Sequence, residues 1–363
     1  MNAVQAARPA SAHAGAAVRL DRRGAVGWRD VALDGLNCYL RGVEAILRGA
    51  GLGHDEVVDA LGGHVTDRFG RDGRPHVRLR GGELRWLQAA PDAHCWNEVA
   101  ACLGRGEPVV IWPDGFSWPG SRFEGRRHVH DHAILAVAAD DGSLHYLDTE
   151  ADEASGFTAE APLTDATRRA CTRVLRVRPP SRPSGIGAAR LDRMIGASVR
   201  PLARLAAATA EYARWWRIEP FNRRLATALD VWALSDLQPP LYLLATISRR
   251  FGREPLATRA FEAAAQAKKV SVFVHALNRI RPLAPYDLLR DDLALLAKRL
   301  ETAGRAAAAA AGQPPPAVSA ELAGAWLWRR LQATSRWHFN VGLGSSAAYL
   351  RAPVSAAYGP GAA

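Results

Sequence analysis

The chain has 363 residues, four cysteines (Cys38, Cys95, Cys102, Cys171) and a net charge of +11. That length supports two domains without covalent staples, and the absence of any CxxC pair or framework spacing excludes a disulfide scaffold and predicts a reduced, cytoplasmic setting. No apolar run reaches transmembrane length, and Met1 to Ala17 lacks the basic start and apolar core of a secretory signal, so no membrane association is expected.

Taken in chain order, residues 1–27 are rich in Ala, Gly and Pro and read as a disordered tail. Tyr39, Leu40, Val43, Ile46 and Leu47 recur at helical spacing, predicting a helix over 38–49, and Asp55 to Leu61 reads as a shorter one. His76 to Arg80 alternates like a strand, and Trp96 to Leu103 reads as a helix stopped by Gly104. The apolar runs Pro108 to Trp112, Ala133 to Val137 and Leu144 to Leu147 read as strands, followed by Arg173 to Val177. Asp140-Asp141-Gly142 is a turn signal that predicts an antiparallel hairpin from the second and third runs.

Residues 179–187 are Pro-rich and read as a linker. Beyond them Ala, Leu and Arg dominate and strand signals fade. Leu191, Met194, Ile195, Val199, Leu202 and Leu205 keep helical spacing, predicting a helical domain over 188–312. Residues 313–363 form a C-terminal segment with an amphipathic stretch around Trp326 and Trp328 and a mobile end after Gly342. The expected fold class is α+β: a domain over 28–178 with a helix-borne Cys packed on an antiparallel sheet, then an all-helical domain.

Cys38 stands where a Gly-containing loop enters the first helix. A thiol in the first helical turn lies near unpaired backbone N–H groups and the positive end of the macrodipole, an environment that favours the nucleophilic form. A cysteine nucleophile needs a base, and the base needs an orienting partner. His132 leads into one hairpin strand and Asp148 ends the other. Adjacent strands lie about 5 Å apart, so the hairpin brings the two together. The order Cys, His, Asp is that of papain-like enzymes.

Each residue also has a plain structural reading: a small buried hydrophobe for Cys38, a satisfied histidine for His132, a turn residue for Asp148. Cys95 opens another helix and is the rival nucleophile, though it would have to share His132. Cys102 and Cys171 read as core or surface fillers. His128, His130 and His132 could share one strand face as metal ligands, resembling the HxHxDH signature of metallo-hydrolases but one residue short. No metal and no cofactor is expected, and His128 and His130 are instead expected to line the substrate entrance. Asn37 and Asp114 are further candidate substrate-binding residues. For an oxyanion, the Cys38 backbone N–H supplies one donor. The papain-like glutamine before the cysteine is missing from Val31-Ala32-Leu33-Asp34-Gly35, and Asn37 is the nearest amide.

Asn37-Cys38-Tyr39-Leu40, the run Gly106 to Asp114, and His132-Ala133-Ile134-Leu135-Ala136-Val137 followed by Asp148 resemble the N-terminal domain of butirosin biosynthesis protein H. The resemblance covers about Trp28 to Arg178 and, more loosely, the helical region to Thr302. It departs at Asn37, where the family often has His, and is only loosely echoed at Gly252-Arg253 and Thr258-Arg259-Ala260-Phe261. It implies a papain-like, C39-peptidase-like fold and acyl transfer from an acyl carrier protein thioester, through Cys38, to a small-molecule amine. His132 would be general base and acid, and Asp148 its partner. Carrier proteins are acidic, so a basic surface would steer one, although heavy arginine usage also accounts for solvated basic faces. The aromatic-basic interleaving of a nucleic-acid module is absent, so no nucleic-acid partner is expected. Two alternatives remain: a cysteine peptidase or amidase of the same fold, and a catalytically silent binding or scaffold protein.

Overall fold

The computed structural model describes residues 35–63, 65–68, 78–90, 93–119, 121, 124–126, 128–130, 132–138, 142–148, 159–181, 185–215, 223–279 and 286–339. The expected tail over 1–27 and the end after Gly342 lie outside them. The described part is a mixture of helices and antiparallel sheet, the α+β class.

Helix α1 spans Cys38–Gly49 and α2 His54–Leu61; strand β1 is Glu83–Gln88 and helix α3 Trp96–Leu103. Strands β2 (Val109–Pro113), β3 (Ile134–Ala138), β4 (Leu144–Asp148) and β5 (Ala159–Pro162) follow, then the short helix α4 (Asp165–Ala170) and β6 (Cys171–Arg178). All pair antiparallel in the order β1-β6-β2-β3-β4-β5. The expected hairpin is β3 with β4, in which Leu135 pairs with Leu147 and Val137 with His145.

Alternation along the strands gives the sheet two apolar faces. Val110, Trp112, Leu135, Val137 and Leu175 point to the side of α1, whereas Val109, Ile111, Ile134, Ala136 and Val174 meet Val99, Cys102 and Leu103 of α3. Helix α1 lies close against the sheet because Gly42 has no side chain there. A Cβ at Gly42 would sit 2.6 Å from Val110 Cγ2, so any larger residue would push the helix outward.

One expected element is displaced. Residues 76–77 lie outside the described residues, and 78–80 form no strand. Arg80 N–H instead donates to the Ala60 carbonyl at 2.8 Å, and Gly81 turns the chain with φ of 71°. The strand comes later, at Glu83–Gln88. It is an edge strand with polar residues on its outward side, so its charges mask its alternation.

Helices α5 (Ala188–Trp215), α6 (Arg223–Trp232), α7 (Gln238–Arg250), α8 (Glu254–Arg279), α9 (Tyr286–Ala310) and α10 (Ala320–Phe339) complete the chain. A π-helical segment, Ala233–Leu237, joins α6 to α7. There Gln238 N–H bonds the Ala233 carbonyl five residues back, and Pro239 and Pro240 follow without N–H groups to continue an ordinary ladder. One apolar core runs from Leu36 and Tyr39 through the helices to Trp328 and Leu331. Helix α10 also reaches the sheet: Trp337 meets Trp86 edge-on at 5.4 Å, and Trp86 contacts Trp112 at 5.2 Å and Tyr39 at 6.1 Å. Among the described residues no helix is long and apolar enough to cross a membrane.

Candidate active site

Cys38 is the first residue of α1 and is partly exposed. Asn37 caps the helix, its Oδ1 accepting from Leu40 N–H at 3.1 Å. This is the usual role of an amide at that position. With 4 % of its surface exposed, Asn37 holds the helix start through Oδ1, while its buried Nδ2 has no hydrogen bond beyond a contact with Tyr39. The Cys38 N–H lies in the first turn, where no intrahelical acceptor exists. The stretch expected to lack a second oxyanion donor, 31–34, lies outside the described residues.

His132 lies two positions before β3 and Asp148 ends β4, so the hairpin delivers both to the N-terminus of α1. His132 Nε2 donates to Asp148 Oδ1 at 2.5 Å. The Cys38 side chain bonds the same imidazole, and with Nε2 taken by Asp148, Nδ1 is the nitrogen left for sulfur. Burial alone would lower the His132 pKa. The bond to Asp148, the bond to Cys38 and the negative charge of both outweigh that and raise it well above its ordinary 6.5. The protonated imidazole is therefore favoured where it stands, between a sulfur and a carboxylate.

Trp118 completes this site and was not singled out by the sequence. Its ring stacks on His132 at 6.2 Å with 10° between planes, and Tyr146 meets Trp118 edge-on at 6.3 Å. The Trp118 ring thus lies along one face of the imidazole that holds Asp148. The only signal was the run of turn residues before it, Asp114-Gly115, which puts an aromatic side chain on a loop.

Asp114 holds that loop. It is 1 % exposed, and its Oδ1 accepts from Val129 N–H at 3.0 Å and Phe116 N–H at 3.3 Å. Its carbonyl accepts from Trp118 N–H at 2.9 Å, and its Oδ2 accepts from His128 Nδ1–H at 2.6 Å. Asp114 thus ties the Trp118 loop to the approach to His132 from beneath, out of reach of a ligand. His128 is 42 % exposed and stacks on the exposed Phe116 at 4.7 Å, so it does stand at the surface.

His130 differs from the expectation of an entrance residue. Only 2 % of it is exposed. Its Nδ1 meets the Thr172 hydroxyl at 2.8 Å, and its backbone bonds His338 of α10 in both directions. Burial first, then the charge of Arg173, pushes its pKa down to about 2, so it stays neutral. His130 lies four positions before β3, outside the alternating strand, and there it is held by His338 of α10 and Thr172 of β6. The three histidines therefore serve three different partners. Among the described residues no group of three or more His, Cys, Asp or Glu could hold a metal ion.

The rival cysteine is differently placed. Cys95 Sγ–H donates to the Thr172 carbonyl at 3.2 Å, and burial raises its pKa. Cys102 and Cys171 are buried, with raised pKa values for the same reason. Those three thiols are held protonated.

A scan against protein-family models matches none of them to this chain, and no curated protein matches it.

Proposed function

We propose that the protein is a papain-like cysteine acyltransferase working through an acyl-enzyme on Cys38. The single observation that carries this reading is the Cys38–His132–Asp148 arrangement: a helix-start thiol bonded to an imidazole whose other nitrogen is held by a carboxylate at 2.5 Å. Nucleophile, base and orienter in that order suit attack on a thioester or amide carbonyl.

In the first half-reaction, Cys38 sulfur attacks the donor carbonyl as His132 takes the thiol proton. The oxyanion forms beside the Cys38 N–H. Collapse expels the donor thiol, which leaves with the proton from His132, and the acyl group stays on Cys38. This exchange replaces one thioester by another. An amine then attacks the acyl-enzyme, His132 receives the ammonium proton, and the new amide departs as Cys38 recovers that proton.

Transfer rather than hydrolysis, an acyl carrier protein as donor and an amine as acceptor follow from the resemblance to the butirosin biosynthesis protein H domain. The charge of +11 is in keeping with an acidic carrier. The test is intact-protein mass spectrometry after mixing with a panel of acyl-carrier thioesters. A hydroxylamine-sensitive adduct in the wild type, absent from Cys38→Ala, is the expected result. An equal adduct on both proteins would overturn the assignment of Cys38.

A further inference from the structure

A cavity opens beside the catalytic helix, between α1, the π-helical segment and α10, and encloses about 760 Å³, its open mouth included. Tyr39 and Leu40, the two residues after Cys38, form its floor. One part of its wall is apolar and fixed, Leu61, Leu205, Trp232, Leu237, Leu243 and Trp326 all being buried, and Thr66 and Ser235 add polar groups to the lining.

Its charge is one-sided. Arg68, Arg78 and Arg330 line it against a single carboxylate among the described lining residues, Asp236. The π-helical turn presents Asp236 to Arg330, whose Nε and Nη2 donate to its two oxygens at 2.6 and 2.7 Å. That carboxylate is thus already neutralised. Arg68 and Arg78 stand exposed at the mouth and meet no carboxylate among the described residues. The loop carrying Arg68 is held in place: Val65 N–H donates to Ser198 at 3.0 Å, and Asp67 takes Arg204 at 2.5 Å and Trp326 Nε1–H at 3.1 Å. Inside, the buried Tyr39 hydroxyl has no hydrogen-bond partner beyond a weak contact with Asn37.

We propose that this cavity binds an anionic amphiphile, an apolar chain lodged between Leu205, Trp232 and Trp326 with a carboxylate or phosphate head on Arg68 and Arg78. Two guanidinium groups give a head of either kind paired hydrogen bonds, whereas an ammonium head would face net positive charge. The site lies beside the catalytic helix but needs no chemistry at Cys38, so it stands or falls separately from the acyltransferase reading.

Calorimetric titration of the full chain tests it, with decanoate, decyl phosphate and decylamine as probes. Decanoate or decyl phosphate should bind at least about tenfold tighter than decylamine, and the stronger of the two identifies the head group. Within the better series each added methylene should tighten binding about threefold to fourfold until the cavity is full. Arg68→Ala combined with Arg78→Ala, both at exposed positions, should weaken binding about tenfold or more. Leu205→Trp, which fills the cavity, should abolish binding, and Cys38→Ala should leave it unchanged. Binding of decylamine as tight as that of the anions, an unchanged affinity in the double arginine variant, or no binding of either anion at millimolar concentration would overturn the proposal.

Discussion

His338 and His130, 208 residues apart in the chain, bond each other twice. His130 N–H donates to the His338 carbonyl at 2.5 Å, and His338 Nδ1–H donates back to the His130 carbonyl at 2.9 Å. Helix α10 thereby grips the chain two residues before His132. The last described helix and the candidate base are one mechanical unit, with Trp337 against Trp86 extending the grip onto β1.

Removing that grip should cost both stability and activity. His338→Ala leaves the buried His130 carbonyl without its side-chain donor, a loss of about 1–3 kcal/mol. Urea unfolding should show a lower midpoint, and acyl transfer should fall with it because His132 is less firmly placed. An unchanged midpoint would mean that α10 does not anchor the strand start.

The same pair should make the fold acid-sensitive. His338 is pushed down to about 3, by burial first and then by Arg173, and His130 down to about 2. In the unfolded chain each takes up a proton near 6.5, while in the fold neither does. The unfolded state therefore binds more protons below that value, so stability is full above pH 6.5 and is lost as pH falls toward 3. Between pH 7 and pH 5 each histidine should account for about 2 kcal/mol of that loss. His338→Gln, which cannot titrate, should lose about 2 kcal/mol less than the wild type over this interval. Equal losses measured by urea unfolding at the two pH values would contradict the placement.

His132 acts in the opposite direction. Its folded pKa is raised, so its contribution to stability is fully present below pH 6.5 and is lost as pH rises through the raised value. The acid limb of acyl transfer, below which His132 is protonated and cannot take the thiol proton, should accordingly lie above 6.5. Asp148→Asn removes one of the interactions that raise it. The limb should move down and the rate should fall by about 10² or more. A pH–rate profile of the variant that overlays the wild type would rule out Asp148 as the partner.

Trp118→Ala should uncover one face of the imidazole that holds Asp148. We expect a fall in rate of about tenfold, consistent with weakening rather than deleting one charge-assisted bond. Trp118→Phe, which keeps a ring over the imidazole, should recover most of it. Equal rates for the two variants would show that stacking is irrelevant.

What the sequence made legible was local. Tyr39, Leu40, Val43, Ile46 and Leu47 mark α1 by spacing, Gly104 stops α3 where expected, and the apolar runs on either side of the Asp-Asp-Gly turn pair as predicted. Because a hairpin fixes its own register, His132 and Asp148 could be brought together on paper. Long-range packing was not legible. Nothing near His130 announces His338, and the entrance role expected for His130 gave way to burial under α10. Asp114 looked like a ligand residue because a carboxylate beside a turn is commonly exposed, whereas here the backbone of Phe116 and Val129 closes on it. The edge strand β1 was hidden by its own solvent-facing Glu and Arg.

The most direct test of the central claim is the rate at which each cysteine reacts with iodoacetamide at pH 7, read by peptide mapping in the wild type and in His132→Gln. Cys38 should be alkylated first, about 10² times faster in the wild type than in the variant, with Cys95, Cys102 and Cys171 slow in both. Equal alkylation of Cys38 with and without His132 would contradict a catalytic pair at this site.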